Sequence, residues 1–137
     1  MFPTGPAYTD EAKNAADELS RKVIGAAIEV HRHLGPGLLE NAYEECLCRE
    51  LELRGIPFQR QHPIDIEYKG IIIEAAYRVD VLVADLVVIE LKSVERLEPI
   101  HDAQLLTYLR LYKRWLGLLL NFNVPVLKDG IQRRVLG

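Results

Sequence analysis

The chain opens, after a short proline- and glycine-bearing leader at residues 1–9, on a helical pattern. From about Asp10 to His33, the apolar positions Leu19, Val23, Ala27, Val30 and Leu34 recur at three- and four-residue steps. "GPG" at 35–37 ends that helix, because proline cannot continue it and Gly35 suits a left-handed cap. A second helix is predicted from about Leu38 to Arg54, with the stripe Leu39, Ala42, Tyr43, Cys46, Leu47 and Leu51. Glu40 and Glu44 stand one turn apart beside it. The period then drops to two. "PIDIEY", "IIIEAAYRVDVLV" and "LVVIELKS" read as antiparallel strands, with turns at Lys69-Gly70 and Ala84-Asp85. "AQLLTYLRLYKRW" returns to the helical period, "LGLLLNF" reads as a buried strand, and "VPVLKDGIQRRVL" as a closing hairpin-like segment around Asp129-Gly130. The order is helix, helix, three or so strands, helix, strand, in one domain over residues 10–137.

Charged groups interrupt the most apolar of these strands. Arg78, Asp80, Glu90 and Lys92 lie in runs otherwise fit for burial on both faces, and charge taken out of water costs several kcal/mol unless compensated. Alternation puts Arg78 with Asp80 and Glu90 with Lys92. A hairpin centred near Ala84-Asp85 brings position 80 opposite position 89 or 90. Two close carboxylates repel unless one is protonated or a cation lies between them. A divalent ion such as Mg²⁺, or Mn²⁺, satisfies Asp80 and Glu90 with waters and substrate phosphate completing its shell. Lys92 then stands ready to orient or deprotonate the attacking water. An internal Asp/Glu/Lys ion-pair cluster is the alternative, and Glu-x-Lys alone does not choose between them.

Net charge and composition narrow the partners. Forty-nine per cent hydrophobic and 27% charged residues describe a folded, soluble chain. No run approaches a membrane span, and no secretory signal opens the chain, which points to a cytoplasmic location. The formal net charge of −3 argues against coating nucleic acid by bulk charge. From residue 104 onward, however, Arg110, Lys113, Arg114, Lys128, Arg133 and Arg134 face only Asp129. This is either a local phosphate-facing surface or the solvated side of a helix and tail. Cys46/Cys48 and His31/His33 are each two apart on helices and point away from one another, so neither pair makes a disulfide or a zinc site.

The motifs together resemble a known family. Asp80, then Glu90-Leu91-Lys92, then a helix carrying Gln104 and Tyr108 four apart, resembles the PD-(D/E)XK nuclease superfamily and the Q-x-x-x-Y motif of its RecB-like branch. "GLLENAY", with Gly37, Glu40 and Tyr43, has the spacing of the small GxxExxY family placed in the same superfamily. The resemblance runs from about residue 19 to 132. It implies an α/β, restriction-endonuclease-like core: a mixed sheet flanked by helices in the order α-β-β-β-α-β, with an extra N-terminal helix. It further implies that Asp80 and Glu90 bind metal, that Leu91 adds its carbonyl, and that Lys92 is catalytic. Glu40 matches the helical acid that binds the metal or its water, while Gln104 and Tyr108 match residues that contact substrate or support the lysine. Val79 stands where the name motif has proline.

Other readings of single residues stay open. Glu40 also suits a pairing with a nearby base, Gln104 a loop cap, and Tyr108 a core position. Arg78 suits either a phosphate grip or an ion pair with Asp80 or Glu90. Tyr43 reads as packing that aims Glu40, Gly37 as the turn, and His101 and Asp102 as caps of the third helix. The expected function is hydrolysis of DNA phosphodiesters by a Mg²⁺- or Mn²⁺-dependent nuclease. The alternative is a weak or inactive nuclease-fold module that binds nucleic acid or a protein. With no appended DNA-holding domain, an oligomer or protein partner is a candidate to provide grip.

Overall fold

The computed structural model of the chain describes residues 9–137. The expected leader lies outside the described residues except for Thr9. The Thr9 hydroxyl accepts the amide of Ala12 at 3.1 Å and so caps helix α1, Asp10–Leu34. Helix α2 spans Glu40–Leu53, and strands β1 (Phe58–Tyr68), β2 (Ile71–Val83) and β3 (Val87–Lys92) follow. Helix α3 (Pro99–Tyr112), β4 (Leu116–Asn121) and β5 (Ile131–Val135) complete the chain. The five strands lie in the order β1-β2-β3-β4-β5. Only β3 and β4 run parallel, as a strand–helix–strand crossover through α3 requires. This is a mixed sheet flanked by helices, the restriction-endonuclease-like α/β architecture, with one strand more than the motif order implies.

The extra strand corrects the reading of residues 124–136. They do not fold back on themselves. A 3-10 turn at Leu127–Gly130 leads into β5, which pairs with β4 from Leu116↔Val135 to Leu120↔Ile131. Gly130 is required there for space, since a Cβ would stand 2.1 Å from the carbonyl oxygen of Asn121. The two hairpin turns form as expected. Lys69, Ala84 and Asp85 take positive φ (45°, 49° and 58°), the geometry that matches a right-twisted ribbon.

Two clusters cover the sheet. On one face α1 and α2 bury Val23, Ala27, Tyr43, Leu47 and Leu51 against Val81, Ile89, Leu118 and Phe122; on the other, Leu105 and Leu109 of α3 cover Val79, Leu82, Val88 and Leu119. β4 is buried along its full length, as its unbroken apolar run demands. The α2 stripe is rotated from the expected one. Leu39 is 81% exposed and precedes the helix, and the buried face is Tyr43, Glu44, Leu47, Cys48 and Leu51. Glu44 is therefore interior and Glu40 exposed.

Tyr43 holds the turn between the helices. Its ring stacks on Phe122 with centroids 4.5 Å apart. Its hydroxyl donates to the Gly35 carbonyl at 2.5 Å and accepts the Leu38 amide at 3.1 Å. Gly35 and Gly37 both take positive φ between these anchors. One side chain thus fixes the point at which α2 begins, and with it the position of Glu40.

Candidate active site

The site arises where the sheet opens. β2 pairs with β3 only across Val81↔Ile89, Leu82↔Val88 and Val83↔Val87. One step further on, the ladder gives way to side chains. The amide of Asp80 donates to Glu90 Oε2 at 2.8 Å, and the amide of Leu91 donates to Asp80 Oδ2 at 2.9 Å. The β1–β2 ladder also skips here, between Arg60↔Val81 and His62↔Val79, with Gln61 at φ +48°. Asp80 stands at both openings. Because paired antiparallel residues exchange N–H and C=O on one edge, the Leu91 carbonyl leaves its strand on the edge facing Asp80.

The break upsets strict alternation. Tyr77 meets Tyr108 of α3, with ring centroids 5.7 Å apart, and Val79 and Leu82 both join the cluster under α3. Parity therefore changes between Val79 and Leu82, around Asp80. Arg78 lies between two α3-facing residues, is exposed, and donates to the carbonyl of Gln61 at 3.3 Å.

Burial and crowding set the electrostatics. Glu90 is 7% exposed. Its carboxyl is pushed up to about 8, first by burial and then by Asp80, with Glu40 adding to the rise. The Asp80 amide and Lys92 act in the opposite direction. The Asp80 carboxyl is also raised, chiefly by burial and secondarily by Glu44, against the Leu91 amide, Gln61 and Lys92. The Tyr108 phenol is raised by burial and then by the charges of Glu90, Tyr77 and Asp80. The fold therefore gathers Asp80, Glu90, Lys92, Glu40 and Tyr108 into one electrostatic neighbourhood. Gln104 is exposed, one turn before Tyr108 on α3.

The donor chemistry fits a hard divalent cation. The side-chain groups at the acids are carboxylates, whose oxygens suit Mg²⁺ or Mn²⁺. Among the described residues no three His, Cys, Asp or Glu side chains converge on a point that would hold a metal. A cation at Asp80 and Glu90 would therefore need water and phosphate oxygens to complete its shell. Both acids take their hydrogen bonds from backbone amides and Gln61, and among the described residues no ion pair joins Lys92 to either.

A protein-family model describing the PD-(D/E)XK nuclease superfamily matches residues 17–134. The chain belongs to that superfamily. Asp80 and Glu90-Leu91-Lys92, which resemble its name motif in sequence, lie within β2 and at the C-terminal end of β3. No curated protein and no solved structure matches the chain.

In this PD-(D/E)XK chain, the structure adds residues that the sequence did not single out. Glu44, buried on α2, accepts Arg60 Nε at 3.1 Å, Arg60 Nη2 at 2.8 Å and Gln61 Nε2 at 2.8 Å. Gln61 reaches on to Asp80 Oδ1 at 3.3 Å. The one-turn step from Glu40 to Glu44 was the available signal. Caps and charges also differ from expectation. Glu98 caps α3 with His101, whose ring accepts the Glu98 amide at 3.0 Å; Asp102 instead pairs with Arg134. Arg114 pairs with Asp85 and Arg133 with Asp17, so three cations of the basic C-terminal stretch are neutralised by acids distant in sequence.

Proposed function

We propose that the chain is a Mg²⁺- or Mn²⁺-dependent nuclease that hydrolyses DNA phosphodiesters at Asp80, Glu90 and Lys92. One observation carries the reading: where β2 and β3 part, buried Glu90 accepts the Asp80 amide and half-buried Asp80 accepts the Leu91 amide, with more negative charge than Lys92 offsets. Asp80, Glu90 and the Leu91 carbonyl are the residues that would hold the cation, with Glu40 meeting a water on it. When bound, the cation supplies Lewis-acid polarisation of a phosphoryl oxygen. Lys92 orients the attacking water and offsets charge developing on the phosphate. Water adds to phosphorus, the P–O3′ bond breaks, and the leaving oxygen takes up a proton, leaving a 5′-phosphate. Tyr108 and Gln104 face the substrate from α3, and Arg78 is the candidate for a neighbouring phosphate. The Gly37, Glu40 and Tyr43 spacing supports the GxxExxY assignment, with Tyr43 aiming the helix acid.

The test is thermal unfolding of the wild type and Asp80→Ala, in EDTA and in millimolar Mn²⁺ or Mg²⁺, followed by cleavage of single- and double-stranded DNA and RNA. A midpoint raised by the ion only in the wild type, with cleavage lost in Lys92→Ala at unchanged stability, is the expected result. A module that binds nucleic acid or protein without turnover would bind equally well with Lys92→Ala and show no cleavage in the wild type.

A further inference from the structure

We propose that Gln61 is a positioning residue: it fixes the Asp80 carboxylate for the cation and is itself held by Glu44 and Arg60. The inference rests on the metal-site reading above. A side-chain amide nitrogen carries two hydrogens, and Gln61 aims them at two acids, Glu44 Oε1 at 2.8 Å and Asp80 Oδ1 at 3.3 Å. With the Leu91 amide on Oδ2, both oxygens of Asp80 then have a fixed donor. A carboxylate oxygen has lone pairs to spare after accepting one hydrogen bond, so it remains able to ligate a metal.

Behind Gln61 the chain of contacts is anchored. Glu44 is 7% exposed, its Oε2 is gripped by two nitrogens of Arg60, and Arg60 also reaches Glu45 Oε1 at 3.0 Å. The chemistry of the link matters. A lysine or arginine at position 61 would form an ion pair with Asp80 and compete with the cation. A neutral amide orients the same oxygen without supplying charge. Glutamine also adopts φ +48° here, a left-handed conformation that costs a non-glycine residue about 1–2 kcal/mol. The strain falls where the β1–β2 ladder skips a pair, and it lets one side chain bridge α2 to the site.

The experiment is calorimetric titration of the full chain with Mn²⁺ alone, paired with the unfolding midpoint in EDTA. It compares the wild type, Gln61→Met, Gln61→Gly and Asp80→Ala. Methionine keeps the length of the side chain and removes both donors, while glycine removes the donors and relieves the backbone. The expected result is Mn²⁺ affinity weakened roughly 10-fold or more in both Gln61 variants, with Gln61→Gly at least as stable as the wild type in EDTA. That combination excludes a purely structural role, which would move the metal-free midpoint and leave Mn²⁺ affinity alone. If Gln61→Met does not fold, Gln61→Gly carries the comparison. Wild-type affinity in the folded Gln61 variants, with binding lost in Asp80→Ala, overturns the role of Gln61 and leaves the metal site standing. Absence of Mn²⁺ binding in the wild type, or equal binding in Asp80→Ala, overturns both.

Discussion

Glu90 is the residue where the fold works hardest against water. Its carboxyl ordinarily titrates near 4.5 and stands at about 8 in the folded chain, because it is buried and Asp80 is adjacent. Between those values the native state keeps a proton that the unfolded chain has released. Stability of the metal-free protein therefore falls as pH rises through this window, and the loss is complete above about 8. The raised Asp80 carboxyl contributes in the same direction. In EDTA, the unfolding midpoint is expected to decline from about pH 5 to about pH 8, and Glu90→Gln, neutral throughout, to flatten that decline. A midpoint that climbed across the window would contradict the assignment. Mn²⁺ competes with the same proton, so its affinity is expected to rise with pH over this range. The sequence showed both acids and their approximate pairing. It did not show which would lie deeper, since that depends on α3 closing over one side of the sheet and α2 over the other.

At the level of elements, Gly117 within β4 and Gly130 packed against its end separate space from flexibility. An added Cβ at Gly117 would meet the ends of Leu105 and Leu109, the nearest atom 2.7 Å away on a side chain free to turn. At Gly130 it would meet the Asn121 backbone at 2.1 Å. Gly117→Ala is expected to cost about 1–3 kcal/mol and Gly130→Ala more than about 3 kcal/mol, with β5 detached; urea unfolding reads both. Equal costs would show that β5 adapts around the turn. Helix α2 gives the corresponding lesson for sequence reading. Of its expected stripe, Tyr43, Leu47 and Leu51 are buried, but Glu44 and Cys48 join them in place of Leu39 and Ala42. The rotation is small, and it decides that Glu44, not Glu40, goes inside.

For the whole molecule, the sheet is unevenly supported. Strands β3 and β4 are covered on both faces, whereas much of the β1–β2 hairpin extends beyond the pairing with β3 and leaves Tyr68, Ile71, Ile72 and Ile73 exposed. Hydrogen exchange is expected to be slowest at the amides of β3 and β4 and faster by orders of magnitude toward Lys69-Gly70, where opening exposes little apolar surface. Uniform protection along β2 would indicate that the outer hairpin is covered in solution. The charge distribution is likewise a property of the whole. Arg114, Arg133 and Arg134, three of the six basic residues from residue 104 onward, meet Asp85, Asp17 and Asp102 in space.

The sequence by itself determined the elements up to β4, the two hairpin turns, and the motif that places Asp80 near Glu90. These follow from local period, turn chemistry and chain connectivity, which neighbouring residues specify among themselves. The tertiary structure alone decided that at Asp80 β2 leaves β3 and skips one pair with β1, and that Gln61 and Glu44 stand behind that acid. Alternation describes a strand only while its ladder is intact. Where the ladder opens, the direction of each side chain is set by whichever donor, from any part of the chain, satisfies the freed carboxylate.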